Sequence, residues 1–396
     1  MVDLLGRLGL DDFLFGRRGE PNALTGDAEA MDGNDRGGDD WLFGGGGSGS
    51  SNALMGDADE MDGNSRGGDD VLVGGRNSGR NDLRGDAAEM SGNAVGGDDR
   101  IFGGDRAEFN FLTGDGEQMS GRSVGGDDYI TGGDRAENRL HGDGVSVEGP
   151  VRTGSDTLVG GDNADNAIWG DGWEMGGSLG TGHDLLIGGR NSINFLSGDG
   201  NWLGGQGGND RLIGGAQSDN ELMGDARYMF SRGGNDTLFA SNSGSNLLYG
   251  DAYQMLGTSI GGNDRLVSGR GDDDMWGDAK FRSGIYLGEA SEDEWYENPP
   301  EVDETRGGSD VFVFRPGNGD DTIHDFEPGK DVIEFRNFGL PWDPLDFDDL
   351  TIVSTAEGCV IALGGGNSVT VLGVEELTGD DVRFRSDLSW SNVLTG

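Results

Sequence analysis

Aspartate recurs in this chain at one fixed place, two residues before a leucine or isoleucine and two after a glycine. The nine copies are Asp40, Asp70, Asp99, Asp128, Asp156, Asp184, Asp210, Asp236 and Asp264. Carboxylate oxygens beside flexible glycine carbonyls suit hard divalent cations, because Ca²⁺ accepts six to eight oxygens in a variable geometry. The spacing therefore indicates a row of cation sites.

The acidic residues also create an electrostatic problem that a cation would solve. The 396 residues include 74 Asp or Glu and 28 Lys or Arg, so the formal net charge is -46. Stacked copies of one aspartate repel each other, and arginines such as Arg100, Arg211 and Arg265 offset only part of that charge. About two Ca²⁺ ions per repeat, or some 20 ions, would come close to cancelling it.

The elements that carry these aspartates form a repeat of about 28 residues, with ten units between Asp12 and Asp278. Each unit has the Asp-x-Leu string, an Asn-x-Leu string, a Gly-Asp pair and a further apolar residue that is usually Met. One unit cannot bury two or three apolar side chains alone, so the units must stack. We predict an all-β fold, a parallel β-roll or β-solenoid of about ten coils. Each coil has two short strands and a longer loop that carries the Met column as a third strip of core.

The same pattern divides the chain into four segments. Residues 1–11 form a leader, 12–280 the repeats, 281–306 an acidic insertion and 307–396 a β-rich cap with a candidate secretion signal. Within the cap, residues 311–314, 331–335, 350–354, 360–363 and 369–372 alternate like strands.

Composition excludes several classes of function. The strong negative charge disfavours nucleic acid and anionic lipid as partners. No apolar stretch reaches the roughly 18 residues of a membrane span, and the N-terminus has no signal-peptide pattern. A single cysteine, Cys359, excludes an internal disulfide and a cysteine-based metal cluster.

Catalytic motifs offer little, and we expect no enzyme activity. Three histidines, His141, His183 and His324, cannot form a His-Glu-x-x-His motif, and no P-loop is present. Gly-x-Ser-x-Gly occurs around Ser123, Ser178 and Ser259, but always in the same loop phase and without a strand-to-helix context. His183 replaces a turn carboxylate, and we interpret it as a turn residue.

Three segments resemble haemolysin-type calcium-binding repeat (RTX) proteins: Gly38-Asp-Asp-Trp-Leu42, Gly208-Asn-Asp-Arg-Leu212 and Ser268-Gly-Arg-Gly-Asp-Asp-Asp-Met-Trp276. Gly307 to Phe314 and Asp321 to Phe335 are similar to the region that closes such repeats in secreted proteins. The resemblance implies a parallel β-roll with Ca²⁺ between coils, and export by type I secretion machinery through an uncleaved C-terminal signal. Carried over by position, it makes the Asp before x-Leu a side-chain ligand and adds Asp273 and Asp310 to the candidates.

The chain also departs from that family. Family turns have about 18 residues, and most second half-turns here carry Asn where a ligand Asp would stand. Two interpretations of this asparagine edge stay open: further Ca²⁺ sites, or a ladder of amide hydrogen bonds from coil to coil.

These observations predict a secreted, calcium-binding structural protein, extracellular or on the cell surface, that folds on Ca²⁺ and self-assembles end to end or laterally into a filament or surface layer. The leader could cap the first coil or leave it open to another chain. The alternatives are a monomeric spacer or ligand-binding module of the adhesin type, and an accessory chain of a secreted enzyme.

Overall fold

The protein is a parallel β-solenoid of about ten coils, each of about 28 residues. The computed structural model describes residues 2–177, 180–283, 305–340 and 343–386. Strands of successive coils pair in register and in parallel, as Leu212 with Leu238 and Leu238 with Leu266. The predicted fold class is confirmed.

Each coil has three strands, so the prediction of two strands and a loop is wrong in one respect. The segment that carries the Met column is itself a strand, and its copies form a third sheet. Most of its strands bury the residue of the Met column and leave the two residues before it at least partly exposed, as in Ala58–Met61. Such a segment lacks the alternation that marks a strand in a sequence.

The three sheets run the length of the solenoid. Sheet 1 has 15 strands among the described residues: β1 (Val2–Leu5), β3 (Asn22–Thr25), β6 (Ser51–Met55), β9 (Arg80–Arg84), β12 (Phe109–Thr113), β15 (Glu137–His141), β18 (Asp165–Trp169), β21 (Ile193–Ser197), β24 (Asp219–Met223), β27 (Asn246–Tyr249), β30 (Asp273–Trp276), β33 (Asp320–Ile323), β39 (Asn367–Leu372), β38 (Gly358–Gly364) and β37 (Thr351–Ser354). Sheet 2 has 13: β2 (Phe13–Phe15), β5 (Trp41–Phe43), β8 (Val71–Val73), β11 (Arg100–Phe102), β14 (Tyr129–Thr131), β17 (Thr157–Val159), β20 (Leu185–Ile187), β23 (Arg211–Ile213), β26 (Thr237–Phe239), β29 (Arg265–Val267), β32 (Val311–Phe314), β34 (Val332–Arg336) and β40 (Val382–Arg385). Sheet 3 has ten: β4 (Ala28–Met31), β7 (Ala58–Met61), β10 (Ala87–Met90), β13 (Gly116–Met119), β16 (Gly144–Glu148), β19 (Gly172–Gly176), β22 (Gly200–Leu203), β25 (Ala226–Met229), β28 (Ala252–Leu256) and β31 (Ala279–Ser283).

The apolar interior is divided into two cores. Leucines and isoleucines of sheets 1 and 2, such as Leu222 and Leu238, pack into one cluster that continues into the cap. The methionines and alanines of sheet 3, such as Met229 and Ala226, form a second cluster. The Met column is therefore core, as predicted, and the junctions between sheet 3 and the other sheets lie between the two cores.

The C-terminal region continues the solenoid. Strands β32, β34 and β40 extend sheet 2 in parallel, whereas sheet 1 ends in the antiparallel strands β39, β38 and β37. A two-strand ribbon, β35 (Gly339–Leu340) and β36 (Asp343–Pro344), and one 3₁₀ turn (Phe347–Asp349) complete it. These strands cover the five segments that alternate in the sequence.

One buried acid in this region has several basic partners. Glu334 forms ion pairs with Arg265, Arg336, Arg383 and Arg385 at 2.5 to 3.2 Å. Burial alone would raise the pKa of Glu334, but hydrogen bonds from Arg336 and Arg265 lower it to about 2. The cluster shows how this fold neutralises a buried carboxylate when arginines are in reach.

Two sequence features lie wholly or mostly outside the described residues. Only the ends of the acidic insertion, residues 281–283 and 305–306, are described, and Ser178 is not. No helix in the described ranges is long and apolar enough to cross a membrane.

Candidate metal centre

Two columns of aspartate lie at the junctions that connect sheet 3 to the rest of each coil. The corner column follows sheet 1 and belongs to the Gly-Asp pairs; the return column precedes sheet 2 and belongs to the Asp-x-Leu strings. The corner column consists of Asp27, Asp57, Asp86, Asp115, Asp143, Asp171, Asp199, Asp225, Asp251 and Asp278. The return column consists of Asp40, Asp70, Asp99, Asp128, Asp156, Asp184, Asp210, Asp236, Asp264 and Asp310. Every side chain in both columns is buried, at 3% exposed or less.

Hydrogen bonds fix the return column from coil to coil. The backbone N–H of each aspartate donates to Oδ1 of the next one along the stack, at 2.7 Å from Asp210 to Asp236 and at 2.8 Å from Asp264 to Asp310. The ladder continues from Asp310 to Asp331, which the sequence did not single out. The other oxygen, Oδ2, is buried from Asp40 to Asp310, and the described part of the chain gives it no hydrogen-bond donor.

The corner column is hydrogen-bonded to the return loop of its own coil, the segment that leads from sheet 3 to sheet 2 (residues 230–236 in the coil of Asp225). In most coils Oδ1 accepts the backbone N–H of the second glycine of that loop, as Asp225 accepts from Gly234 at 2.7 Å. Oδ2 is buried and without a donor in Asp86, Asp115, Asp143, Asp171, Asp199, Asp225 and Asp251. An acceptor left without a partner in a dry interior is costly, so these oxygens call for a proton or a cation.

Backbone carbonyl oxygens lie close to these carboxylate oxygens, beside the glycines of the repeat. A Cβ added to Gly224 would lie 1.7 Å from the carbonyl oxygen of Gly250 and 2.2 Å from Oδ2 of Asp236. A Cβ added to Gly233 would lie 2.2 Å from Oδ1 of Asp251 and 2.4 Å from Oδ2 of Asp225. Glycine is therefore required here so that carboxylates and a carbonyl of adjacent coils can approach one another. The oxygen-only donor set fits a hard cation such as Ca²⁺.

The electrostatics of the columns are unfavourable for charged carboxylates. Burial raises the pKa of Asp210 well above its usual range, and the charge of Asp199 in the other column raises it further. Burial likewise raises the pKa of Asp40 and of Asp143 to about 7 and that of Asp199 to about 6. Among the described ion pairs, none joins Lys or Arg to the return column. In the corner column, only Asp278 has an arginine partner among the described residues, Arg282.

The arrangement does not gather many acids around one point. Within the residues described, no group of three or more His, Cys, Asp or Glu side chains is placed to hold a metal ion. A cation at the columns would need one or two carboxylates completed by backbone carbonyls, or a shift of the side chains.

The asparagine edge forms the amide ladder, one of the two interpretations left open. Nδ2 of each asparagine donates to Oδ1 of the next, from Asn22 through Asn246, at 2.7 to 2.9 Å. Oδ1 also accepts from a turn glycine, as Asn220 does from Gly215 at 2.8 Å. The ladder ends at Asp273, whose Oδ1 accepts from Asn246 at 2.6 Å. Asp273 thus lies on this edge, away from the return column.

The other residues considered in the sequence, His183, Ser123 and Ser259, form hydrogen bonds with neighbouring backbone groups. His183 belongs to an exposed ladder at the turn, where its Nδ1 accepts the N–H of Asn209 at 2.8 Å. Ser123 and Ser259 are buried, and their hydroxyls donate to the carbonyls of Ser120 and Met229 at 3.0 and 2.8 Å.

The sequence missed the corner column as a candidate site, although the Gly-Asp pair recurs in all ten units and could have signalled it. Comparison with known proteins adds no assignment: no family model matches the chain, and no curated protein matches it.

Proposed function

We propose that this chain is an extracellular structural protein of the calcium-binding repeat type, whose solenoid folds when Ca²⁺ enters between the aspartate columns. The observation that carries the proposal is the pair of buried columns: among the described residues, the return-column Oδ2 atoms lack donors and lie near carbonyls of the next coil, and seven corner-column Oδ2 atoms lack donors too. Return-column Oδ2 atoms, corner-column oxygens and carbonyls such as that of Gly250 would hold the ions. Because the ligands come from different coils, each ion would join neighbouring repeats.

The dependence on Ca²⁺ suits export. A chain whose buried carboxylates repel stays unfolded where Ca²⁺ is scarce, and folds where it is plentiful. Type I secretion and a location outside the cell rest on the resemblance of residues 307–335 to the closing region of secreted repeat proteins.

The test compares isosteric variants of the two edges. Asp210→Asn and Asp236→Asn keep the Oδ1 acceptor but remove a charged ligand, so each is expected to lower the Ca²⁺ bound per chain by about one ion. Asn220→Ala and Asn246→Ala break the amide ladder and should each cost about 1–3 kcal/mol of unfolding free energy at unchanged stoichiometry. Calorimetric titration and thermal melts measure both quantities.

Asp98→Asn is the matched control, since Asp98 lies in an exposed ladder where its Oδ1 accepts from Asp127 at 3.0 Å. Its Ca²⁺ stoichiometry should equal that of the unchanged chain. If the Asp98 variant and the column variants lost the same amount of Ca²⁺, the columns would not be the binding site.

We further propose that the rod associates end to end. Strands β1, β2 and β4 lie at the edges of the three sheets, and β1 pairs with β3 on one side. Leu5, Phe13 and Phe15 at this end are more than half exposed. Unpaired strand edges with apolar side chains add strands from another chain, and a heterologous contact of this kind propagates.

Deleting residues 1–16 is expected to abolish this association, because it removes β1 and β2 together with their apolar side chains. Sedimentation velocity in millimolar Ca²⁺ should show a series of oligomers for the full chain and none for the variant. Circular dichroism must show equal β content in both. A full chain without oligomers at high concentration would leave the monomeric spacer or ligand-binding module as the function.

A further inference from the structure

The outer face of sheet 2 is nearly free of acid, unlike the rest of the molecule. In strands β2 to β32 the second residue points inward and the first and third residues occupy the outer face, where all are at least partly exposed except Val267 and Val313, which are buried. These eleven strands supply 22 outward positions, and none is Asp or Glu. At the frequency of the whole chain, 74 in 396, about four would be expected.

Apolar and aromatic residues occupy most of these positions. Phe13, Phe15, Trp41 and Tyr129 are 41% to 60% exposed. Phe15 stacks on Phe43 with ring centroids 5.0 Å apart. The only charges are arginines, one of which, Arg211, lies 4.1 Å above the ring of Phe239. The face is therefore a flat, apolar strip with a slight positive charge.

We infer that this face pairs with the same face of a second copy of the chain. Of the 74 Asp or Glu, 54 lie outside the two columns, against 28 Lys or Arg, so two Ca²⁺-bound copies still repel each other over their acidic surfaces and approach closely only where acid is absent. Eleven strands spaced about 4.8 Å apart give a strip roughly 48 Å long and about 10 Å wide. Two such strips bury on the order of 1,000 Å², the lower end of the range for specific interfaces.

The size of the outward side chains changes along the strip, and this change favours a dimer in which the two solenoids run in opposite directions. Large exposed aromatic residues of β2 and β5 lie at one end, whereas at the other end Val311 is half-buried and Val267 and Val313 are buried, so little side-chain bulk projects there. A twofold axis in the interface, parallel to the strands at β17, sets the large end of one copy against the small end of the other. It also sets Trp41 opposite Arg265 of the second copy, a favourable pairing of a cation with an aromatic ring.

The twofold axis makes a geometric prediction that cysteine cross-linking tests. Thr157 lies on the axis and meets its own copy, whereas Thr237, in the same column of the sheet, lies three strands away and roughly 29 Å from its copy. The natural Cys359 is buried. Under mild oxidation in Ca²⁺ and 0.15 M salt, Thr157→Cys should form a disulfide dimer, and Thr237→Cys should not. Equal cross-linking of the two variants would overturn the antiparallel pairing.

Sedimentation equilibrium provides an independent measurement. The smallest associated species of the full chain should be this dimer, and Thr157→Glu, which sets two carboxylates face to face, should weaken its formation at least tenfold. Ala30→Glu adds the same charge at an exposed position of sheet 3 and should leave the dimer unchanged. A full chain that is monomeric throughout, or that binds an insoluble neutral polysaccharide as a monomer, would overturn the proposal.

The pairing requires a folded solenoid, so every variant is first checked for its β circular-dichroism signal in Ca²⁺. A folded chain that binds Ca²⁺ without dimerising contradicts the pairing alone. A folded chain that dimerises without binding Ca²⁺ contradicts only the proposed function.

Discussion

Removal of divalent cations at pH 8 is expected to abolish the β circular-dichroism signal of this protein, and Ca²⁺ at about 0.1 to 1 mM is expected to restore it. Twenty aspartates lie buried in two columns, and among the described ion pairs only Asp278, at the end of the corner column, has an arginine partner, Arg282. Without a cation, the desolvated carboxylates repel along the whole stack. The effect is large because binding free energy supplies the free energy of folding.

A titration of the chelated protein with Ca²⁺, followed by circular dichroism, makes this measurement. Mg²⁺ at the same concentration is the control, since it demands a tighter octahedral geometry and keeps its water ligands. A chain that shows the same β signal in chelator and in Ca²⁺ at pH 8 would contradict the role of the columns.

Acid is expected to replace the cation in the chelated protein. The pKa of Asp199 is raised to about 6, chiefly by burial, and burial also raises that of Asp143 to about 7. A carboxyl whose pKa is higher in the folded than in the unfolded chain stabilises the fold when protonated. Its contribution is complete below the unfolded pKa of about 4 and is lost as the pH rises through the folded pKa. The chelated protein should therefore regain β structure between pH 8 and pH 5.

In Ca²⁺ the stability of the fold should instead fall as the pH is lowered, because protons compete with the ion for the same carboxylate oxygens. The measurement is a set of thermal melts from pH 5 to pH 8, with and without chelator, above the pI of about 4.1 so that the chain keeps its charge. Asp143→Asn and Asp199→Asn should each flatten the dependence in chelator, whereas the exposed Asp98→Asn should leave it unchanged. A chelated chain that loses structure on acidification would show that the buried carboxyls do not control folding.

The repeat and most of its columns can be predicted from the amino-acid sequence. The period of about 28 residues required stacking, and Leu, Asn and Asp at fixed phases located sheets 1 and 2, the amide ladder and the return column. These features can be predicted because each depends on one residue type that recurs at the same position of every repeat. Parallel, in-register stacking then places these like residues side by side. The two interpretations of the asparagine edge could not be separated in this way, since amides and metal ligands need the same spacing.

Sheet 3, the burial of the corner column and the acid-free strip of sheet 2 could not be predicted from the sequence, because they depend on how each coil closes in the folded chain. Most strands of sheet 3 have two adjacent outward residues, as Asp59 and Glu60, so no alternation signalled the sheet. Its presence buries the corner column, which a two-strand coil would leave in a loop. The acid-free strip of sheet 2 also emerges only when residues about 28 positions apart are placed next to one another.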